Sequence, residues 1–216
     1  MTLFELLKEL SNPEVIIQYG GLSLLLAIIF AENGLAIGFF LPGDSLVFIA
    51  GLVCATQPEI LDIHVVNLLL LMICAAFLGS SAGYYFGYKI GPPIFSRQDS
   101  VLFNKKYIEM TRSFYEKHGG KTLILGRFLP IIRTFAPILA GVIRVDLKNF
   151  LTYNAIGAVL WVTPLVLAGF FLGREVPQIK EYLGYIILGF IFCTTIILGR
   201  TYLKEKKKLK ARQEGE

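Results

Sequence analysis

"FLPGDSLVFIAG", residues 40–51, sets one carboxylate, Asp44, in an apolar run that also holds a proline and two glycines. Between Glu32 and Glu59, Asp44 is the only Asp, Glu, Lys or Arg. Its surroundings identify the solvent. The 216-residue chain is 55% hydrophobic and 17% charged, with a mean hydropathy of +0.63. A soluble domain is nearer about a quarter charged, and several apolar stretches here approach the ~20 residues a spanning helix needs. The chain reads as an integral membrane protein, and Asp44 as a carboxylate at bilayer depth that needs a partner or water.

Outward from Asp44, the apolar segments run 15–31, 34–54, 63–88, 122–143, 149–172 and 182–203. The polar stretch 91–120 has the make-up of an amphipathic helix lying at the interface. Lys and Arg concentrate in the C-terminal tail and in 89–121, whereas the 55–62 loop has none. That bias puts the first two in the cytoplasm and the loop outside. Counting back from the tail, 182–203 and 149–172 cross the bilayer, so 122–143 enters from the cytoplasm and returns to it. By the same count 34–54 enters from outside and returns outside, and both termini are cytoplasmic. Pro42, beside Gly43, interrupts the first of these segments; Pro130 and Pro137 interrupt the second. Broken helices survive at that depth only inside protein or beside a wet cavity. The expected fold is an all-α polytopic membrane protein, with two opposed re-entrant hairpins, about four crossing helices and an amphipathic interfacial helix. Six full spans satisfy the same parity and remain the alternative.

The two hairpins resemble each other. "FLPGDSLVFIAG" and "FLPIIRTFAPILAG" (residues 128–141) both open on Phe-Leu-Pro and close on Ala-Gly. Similar segments of opposite insertion mark an inverted repeat, whose site lies at the repeat interface. Charge separates them. No Lys or Arg occurs between Lys8 and Lys89, so Glu32 and Asp44 have no cation nearby in sequence. No acid occurs between Glu116 and Asp146, where Arg127 and Arg133 sit. Joining the hairpin tips sets Glu32 and Asp44 against Arg127 and Arg133. Such a cluster could be purely structural, although apolar replacement of buried ion pairs is often neutral. As a site, the arginines suit an anion such as phosphate, through their planar fork and permanent charge. The carboxylates would carry protons or gate the site.

"ENGLAIGFFLPGDS" (32–45), "FYEKHGGKTLILGRFLPIIRTFAPILAG" (114–141) and "FLTYNAIGAVLW" (150–161) extend the pattern. Over residues 20–172 the chain resembles the DedA family, also called the SNARE-associated or VTT-domain family. The resemblance is most specific in the Gly-Arg-Phe-x-Pro-x-x-Arg-Thr core. It implies that Glu32, Asp44, Arg127 and Arg133 are the functional residues. It also marks Gly126, Pro130, Thr134, Gly141, Asn154, Gly157 and Trp161 as family positions. It implies movement of lipids across bilayers, with undecaprenyl phosphate recycling and proton-motive force in bacterial members and phospholipid scrambling in eukaryotic relatives. The expected function is a proton-linked transporter of a phosphate-bearing lipid, undecaprenyl phosphate, across the cytoplasmic membrane. Arg127 and Arg133 would bind the phosphate, while Glu32 and Asp44 would couple protons or gate. A non-coupled scramblase or a small-ion/proton antiporter would use the same four residues, and a membrane scaffold would keep them as a structural cluster.

The remaining signals point away from catalysis. "GSSAG" (79–83) fits a Gly-x-Ser-x-Gly nucleophile, but that motif needs a strand-to-helix turn and a histidine. Gly79, Gly83, Gly87 and Gly91 recur every four residues, as on a helix face that packs closely. That packing could join helices of one chain or of two, which leaves a homo-oligomer open. Pro42-Gly43-Asp44 lacks the second aspartate an intramembrane protease needs. His64 and His118 belong to no metal-binding pair, and Cys54, Cys74 and Cys193 read as buried free thiols. Tyr84, Tyr85, Trp161 and Tyr185 read as packing or interfacial residues. No enzyme, metal or cofactor is expected. "MTLFELLKELSNPEV" has three acids and one lysine, unlike a cleavable signal peptide. Lys204, Lys206, Lys207, Lys208, Lys210 and Arg212, directly after an apolar span, read as an anchor on anionic headgroups rather than a nucleic-acid patch. The expected organisation is one membrane domain, 1–203, divided into 15–90, 91–120 and 121–203, followed by a basic cytoplasmic tail, 204–216.

Overall fold

The apolar runs fold here as helices, two of which begin at Gly43 and Pro130, while Pro137 and Pro164 lie inside helices. The computed structural model describes residues 13–35, 43–94, 112–113 and 115–176. Among them the elements are α1 (Pro13–Gly34), α2 (Gly43–Thr56), α3 (Val65–Ile94), the one-turn α4 (Thr122–Leu125), α5 (Pro130–Val142) and α6 (Leu147–Glu175). Tight 3-10 turns at Gly119–Lys121 and Gly126–Phe128 flank α4. Gly21 kinks α1 with φ 55, a left-handed conformation that glycine adopts without strain. Leu129 is extended and Pro130 starts α5, where a helix has no use for the N–H that proline lacks. Asp146 caps α6, its Oδ1 accepting from the Asn149 N–H at 3.0 Å.

Among the described residues two helices are long and apolar enough to cross a bilayer, Val65–Lys89 of α3 and all of α6. Only 28% and 33% of their most apolar stretches are buried within the protein. Leu70, Leu78, Leu160 and Phe171 point outward instead. A helix in a soluble core would hide such residues; outward apolar faces suit lipid. Gly21–Gly34, Gly43–Thr56 and Ile132–Val142 are apolar but shorter.

The short helices pack on the long ones: α2 on α6, α5 on α3, with α1 also on α3. Glycine makes both crossings close. A Cβ on Gly51 would strike the Val166 carbonyl and one on Gly169 the Phe48 carbonyl. In the other crossing, Gly87 faces the Ile138 carbonyl and Gly141 the Tyr84 carbonyl. Gly79 packs on Phe30 of α1, so the glycine row of α3 serves contacts within the chain. Gly87→Ala or Gly141→Ala must push α3 and α5 apart, at an expected cost of about 1–3 kcal/mol. A lowered thermal midpoint in detergent checks this.

Several boundaries differ from the sequence expectation. α1 continues to Gly34, which puts Glu32 on its last turn, before the break and not within the 34–54 segment. Asp44 lies in the first turn of α2. α3 runs past residue 88 to Ile94, and the 122–143 run is broken at Leu129. Cys74 is exposed on α3 rather than buried, because a membrane helix turns apolar residues outward. Cys54 is partly buried, its Sγ donating to the Ile63 carbonyl at 3.1 Å. Pro42, residues 1–12, most of the 91–120 stretch, Tyr185, Cys193, the 182–203 span and the basic tail lie outside the described residues.

Candidate anion site

Four breaks in the apolar pattern converge on one place. The end of α1 supplies Glu32 and Asn33, the start of α2 supplies Asp44, and the 3-10 turn after α4 supplies Arg127. Ser80 comes from α3, Arg133 from the first turn of α5, and Asn154 and Trp161 from α6. Helix ends and turns hold the charges and Asn33, while the interiors of α3 and α6 hold Ser80, Asn154 and Trp161.

Arg133 takes both acids. Its Nη1 donates to Asp44 Oδ1 at 2.7 Å, and its Nη2 donates to Glu32 Oε1. The acids are not equivalent, since the Glu32 side chain is 0% exposed and that of Asp44 35%. Glu32 sits against Gly43, where a Cβ would collide with its Oε2. The start of a helix is also where backbone dipoles favour a carboxylate. Glu32 Oε2 and Arg133 Nε are buried without a hydrogen-bond partner among the described residues.

Arg127 makes a different set of contacts. Its Nη1 donates to Asn33 Oδ1 at 3.1 Å, and its Nη2 to Ser80 Oγ at 3.2 Å and Asn154 Oδ1 at 2.6 Å. Both amides are oriented from behind. Asn33 Nδ2 donates to the Ile29 carbonyl, and Asn154 Nδ2 donates to the Phe77 carbonyl and Ser81 Oγ, which turns their oxygens toward the guanidinium. Gly157 lets α6 come close, since a Cβ there would lie 2.9 Å from Arg127 Nε. Arg127 is therefore a buried cation held by neutral acceptors, with no carboxylate partner among the described residues.

The structure thus departs from the pairing of two acids with two arginines. Both acids bind Arg133, and Arg127 binds three neutral side chains. The reason is reach: Arg127 leaves a turn beside Asn33, one residue past Glu32, while Arg133 points from α5 between α1 and α2. Gly43 starts α2, Pro130 starts α5, and Pro137 lies inside α5.

Trp161 belongs to this centre rather than to an interface. It is 2% exposed, its Nε1 donates to Asp44 Oδ1 at 2.8 Å, and Arg133 lies over its ring at 4.7 Å. Such stacking favours a cation that has left water. Asn33 and Ser80 are site residues that the sequence reading passed over. Their one local signal is a polar side chain in an apolar helix. Tyr84 packs as expected, stacked on Phe150 at 4.3 Å with its hydroxyl donating to the Val145 carbonyl.

A pocket between the two guanidinium groups is lined by Ser80, Thr122, Arg127, Arg133, Pro137 and Asn154, and has no room for a water-sized sphere. Its walls carry cation and hydrogen-bond donors, the chemistry for an anion, but it must widen to admit one. Among the described residues no group of three His, Cys, Asp or Glu stands where it could hold a metal ion.

The chain is similar to known membrane proteins along most of its length. The VTT domain family model matches residues 41–171, which enclose Asp44, Arg127, Arg133, Asn154 and Trp161. Protein DedA of Escherichia coli K12 is 40% identical over 201 residues, 92% of this chain and 90% of that protein. A membrane protein of Mycobacterium leprae is 39% identical over 185 residues, 86% of this chain and 81% of its own length. Inner membrane protein YghB of Salmonella typhimurium is 30% identical over 206 residues, 92% of this chain and 90% of that protein. No solved structure matches the chain.

Proposed function

The chain belongs to the DedA family of VTT-domain membrane proteins, and from that premise we propose that it transports a phosphate-bearing lipid, undecaprenyl phosphate, across the cytoplasmic membrane with proton coupling. The observation that carries the reading is Arg127. A buried cation whose partners among the described residues are all neutral is costly at membrane depth, and such a residue marks a substrate or ion pathway. A phosphate group would supply the missing negative charge, held by the arginine fork from the pocket side. Arg133 is the second phosphate ligand, and Glu32 and Asp44 are the proton-coupling or gating pair. The proposal is transport, not catalysis.

The same proposal includes two opposed re-entrant hairpins related as an inverted repeat. The reciprocal glycine crossings support it, since the Ala-Gly that ends each hairpin motif meets the long helix of the other half, Gly51 on α6 and Gly141 on α3. Cytoplasmic termini, with the basic tail on anionic headgroups, complete the arrangement.

Reconstitution into vesicles carrying undecaprenyl phosphate, with and without a pH gradient, tests the reading. The expected result is transbilayer movement above that of empty vesicles, increased by the gradient. Movement indifferent to the gradient would replace proton coupling with scrambling, and ion-dependent proton flux without lipid would indicate an antiporter. If no gradient raises movement above empty vesicles, the undecaprenyl phosphate assignment fails.

A further inference from the structure

Resting on the reading that a phosphate group binds at Arg133, we infer that Asp44 is a resident anion that competes with that group for the guanidinium, whereas Glu32 is its fixed counter-ion. Both terminal nitrogens of Arg133 are already taken by acids, Nη1 by Asp44 and Nη2 by Glu32. Each terminal nitrogen keeps one N–H, so an incoming phosphate must share the fork with the two acids or displace one of them. Glu32 cannot move out without becoming a bare carboxylate, because it is fully buried against Gly43 and Arg133 is its ion-pair partner. Asp44 can. Its side chain is 35% exposed, and the Oδ1 that accepts from Arg133 also accepts from Trp161 Nε1 at 2.8 Å. When Arg133 turns to a ligand, Asp44 keeps the indole N–H and access to solvent. Arg133 Nε, buried and without a hydrogen-bond partner among the described residues, is a further donor for the incoming group.

Formal charge points the same way. The two arginines and two carboxylates of the site sum to a formal charge of zero, and loss of the Asp44 charge brings that sum to +1, which attracts an anion. Neutralising Asp44 therefore tightens phosphate binding, the reverse of what a directly liganding or merely structural residue would do.

The test measures binding by titration calorimetry to purified wild type and Asp44→Asn, with farnesyl phosphate in one arm, inorganic phosphate in a second and farnesol as control. Asp44→Asn is expected to bind at least about tenfold more tightly, the gain from freeing a site that is otherwise competent about a tenth of the time. A gain with either phosphate probe supports the competition, and the arm that shows it tells a lipid headgroup from free phosphate. Equal or weaker binding by the variant, or an equal gain for farnesol, overturns the inference and leaves the phosphate reading standing. Failure of both proteins to bind either phosphate overturns both. Trp161 is the chain's one tryptophan and touches both Asp44 and Arg133, so its fluorescence in wild type gives a measurement that needs no variant. Bound phosphate that displaces Asp44 changes the emission; bound phosphate with unchanged emission overturns the inference even if Asp44→Asn fails to fold.

Discussion

Arg133→Ala is expected to destabilise the protein by about 3–5 kcal/mol, the usual result of removing one partner from a buried ion pair. The size follows from what is left behind. Glu32 is 0% exposed, and its only ion-pair partner among the described residues is Arg133. Without the guanidinium, Glu32 is a buried carboxylate beside a backbone turn, and Asp44 keeps only Trp161. Glu32, fully buried, has no water to turn to. The loss should appear as a lower thermal midpoint in detergent and lower abundance in membranes. A second variant isolates the cause. Arg133→Met combined with Glu32→Met and Asp44→Leu replaces all three charges by apolar groups of similar volume, and should recover most of the stability, as apolar replacements of buried ion clusters often do. A triple variant as unstable as Arg133→Ala would mean that packing, not stranded charge, sets the cost.

Arg127→Gln should behave in the opposite way, remaining folded while losing transport. Arg127 has no carboxylate among the described residues to strand, and the glutamine amide can still donate to an acceptor among Asn33, Ser80 and Asn154. The expected stability change is no more than about 1–2 kcal/mol, one unsatisfied acceptor offset by the removal of a buried charge. Transport of undecaprenyl phosphate should fall by about 10- to 100-fold, since charge-assisted contacts are worth about 1.5–3 kcal/mol and each ~1.4 is tenfold. Arg127→Lys should fall between, because it keeps the charge and loses the fork. Vesicle transport normalised to folded protein gives the comparison. Full transport by Arg127→Gln would remove the observation on which the functional proposal stands.

These opposite outcomes concern two arginines that look alike in the sequence. Both lie in one apolar run, six residues apart, with no acid nearby. Hydropathy, the acid-free and base-free stretches, and the prolines were enough to read a membrane chain, its apolar helices and four charges needing partners. Those features are carried by residue type and local order, so they are legible without coordinates. The glycine row of α3 was legible for the same reason, as a spacing on one helix.

Pairing was not. Arg133 reaches Asp44 across 89 residues of sequence and Glu32 across 101, so its partners depend on where helix ends meet. Asn33, Ser80 and the indole N–H of Trp161 were hidden because a polar atom in an apolar helix declares a need for a partner without naming it. The sequence by itself determined that this protein lives in a membrane and sets two acids and two arginines in or beside its apolar segments. Only the tertiary structure decided that both acids go to Arg133 and that Arg127 stays a cation among neutral oxygens. Burial cost is a property of each residue, but charge compensation is a property of the distances between them.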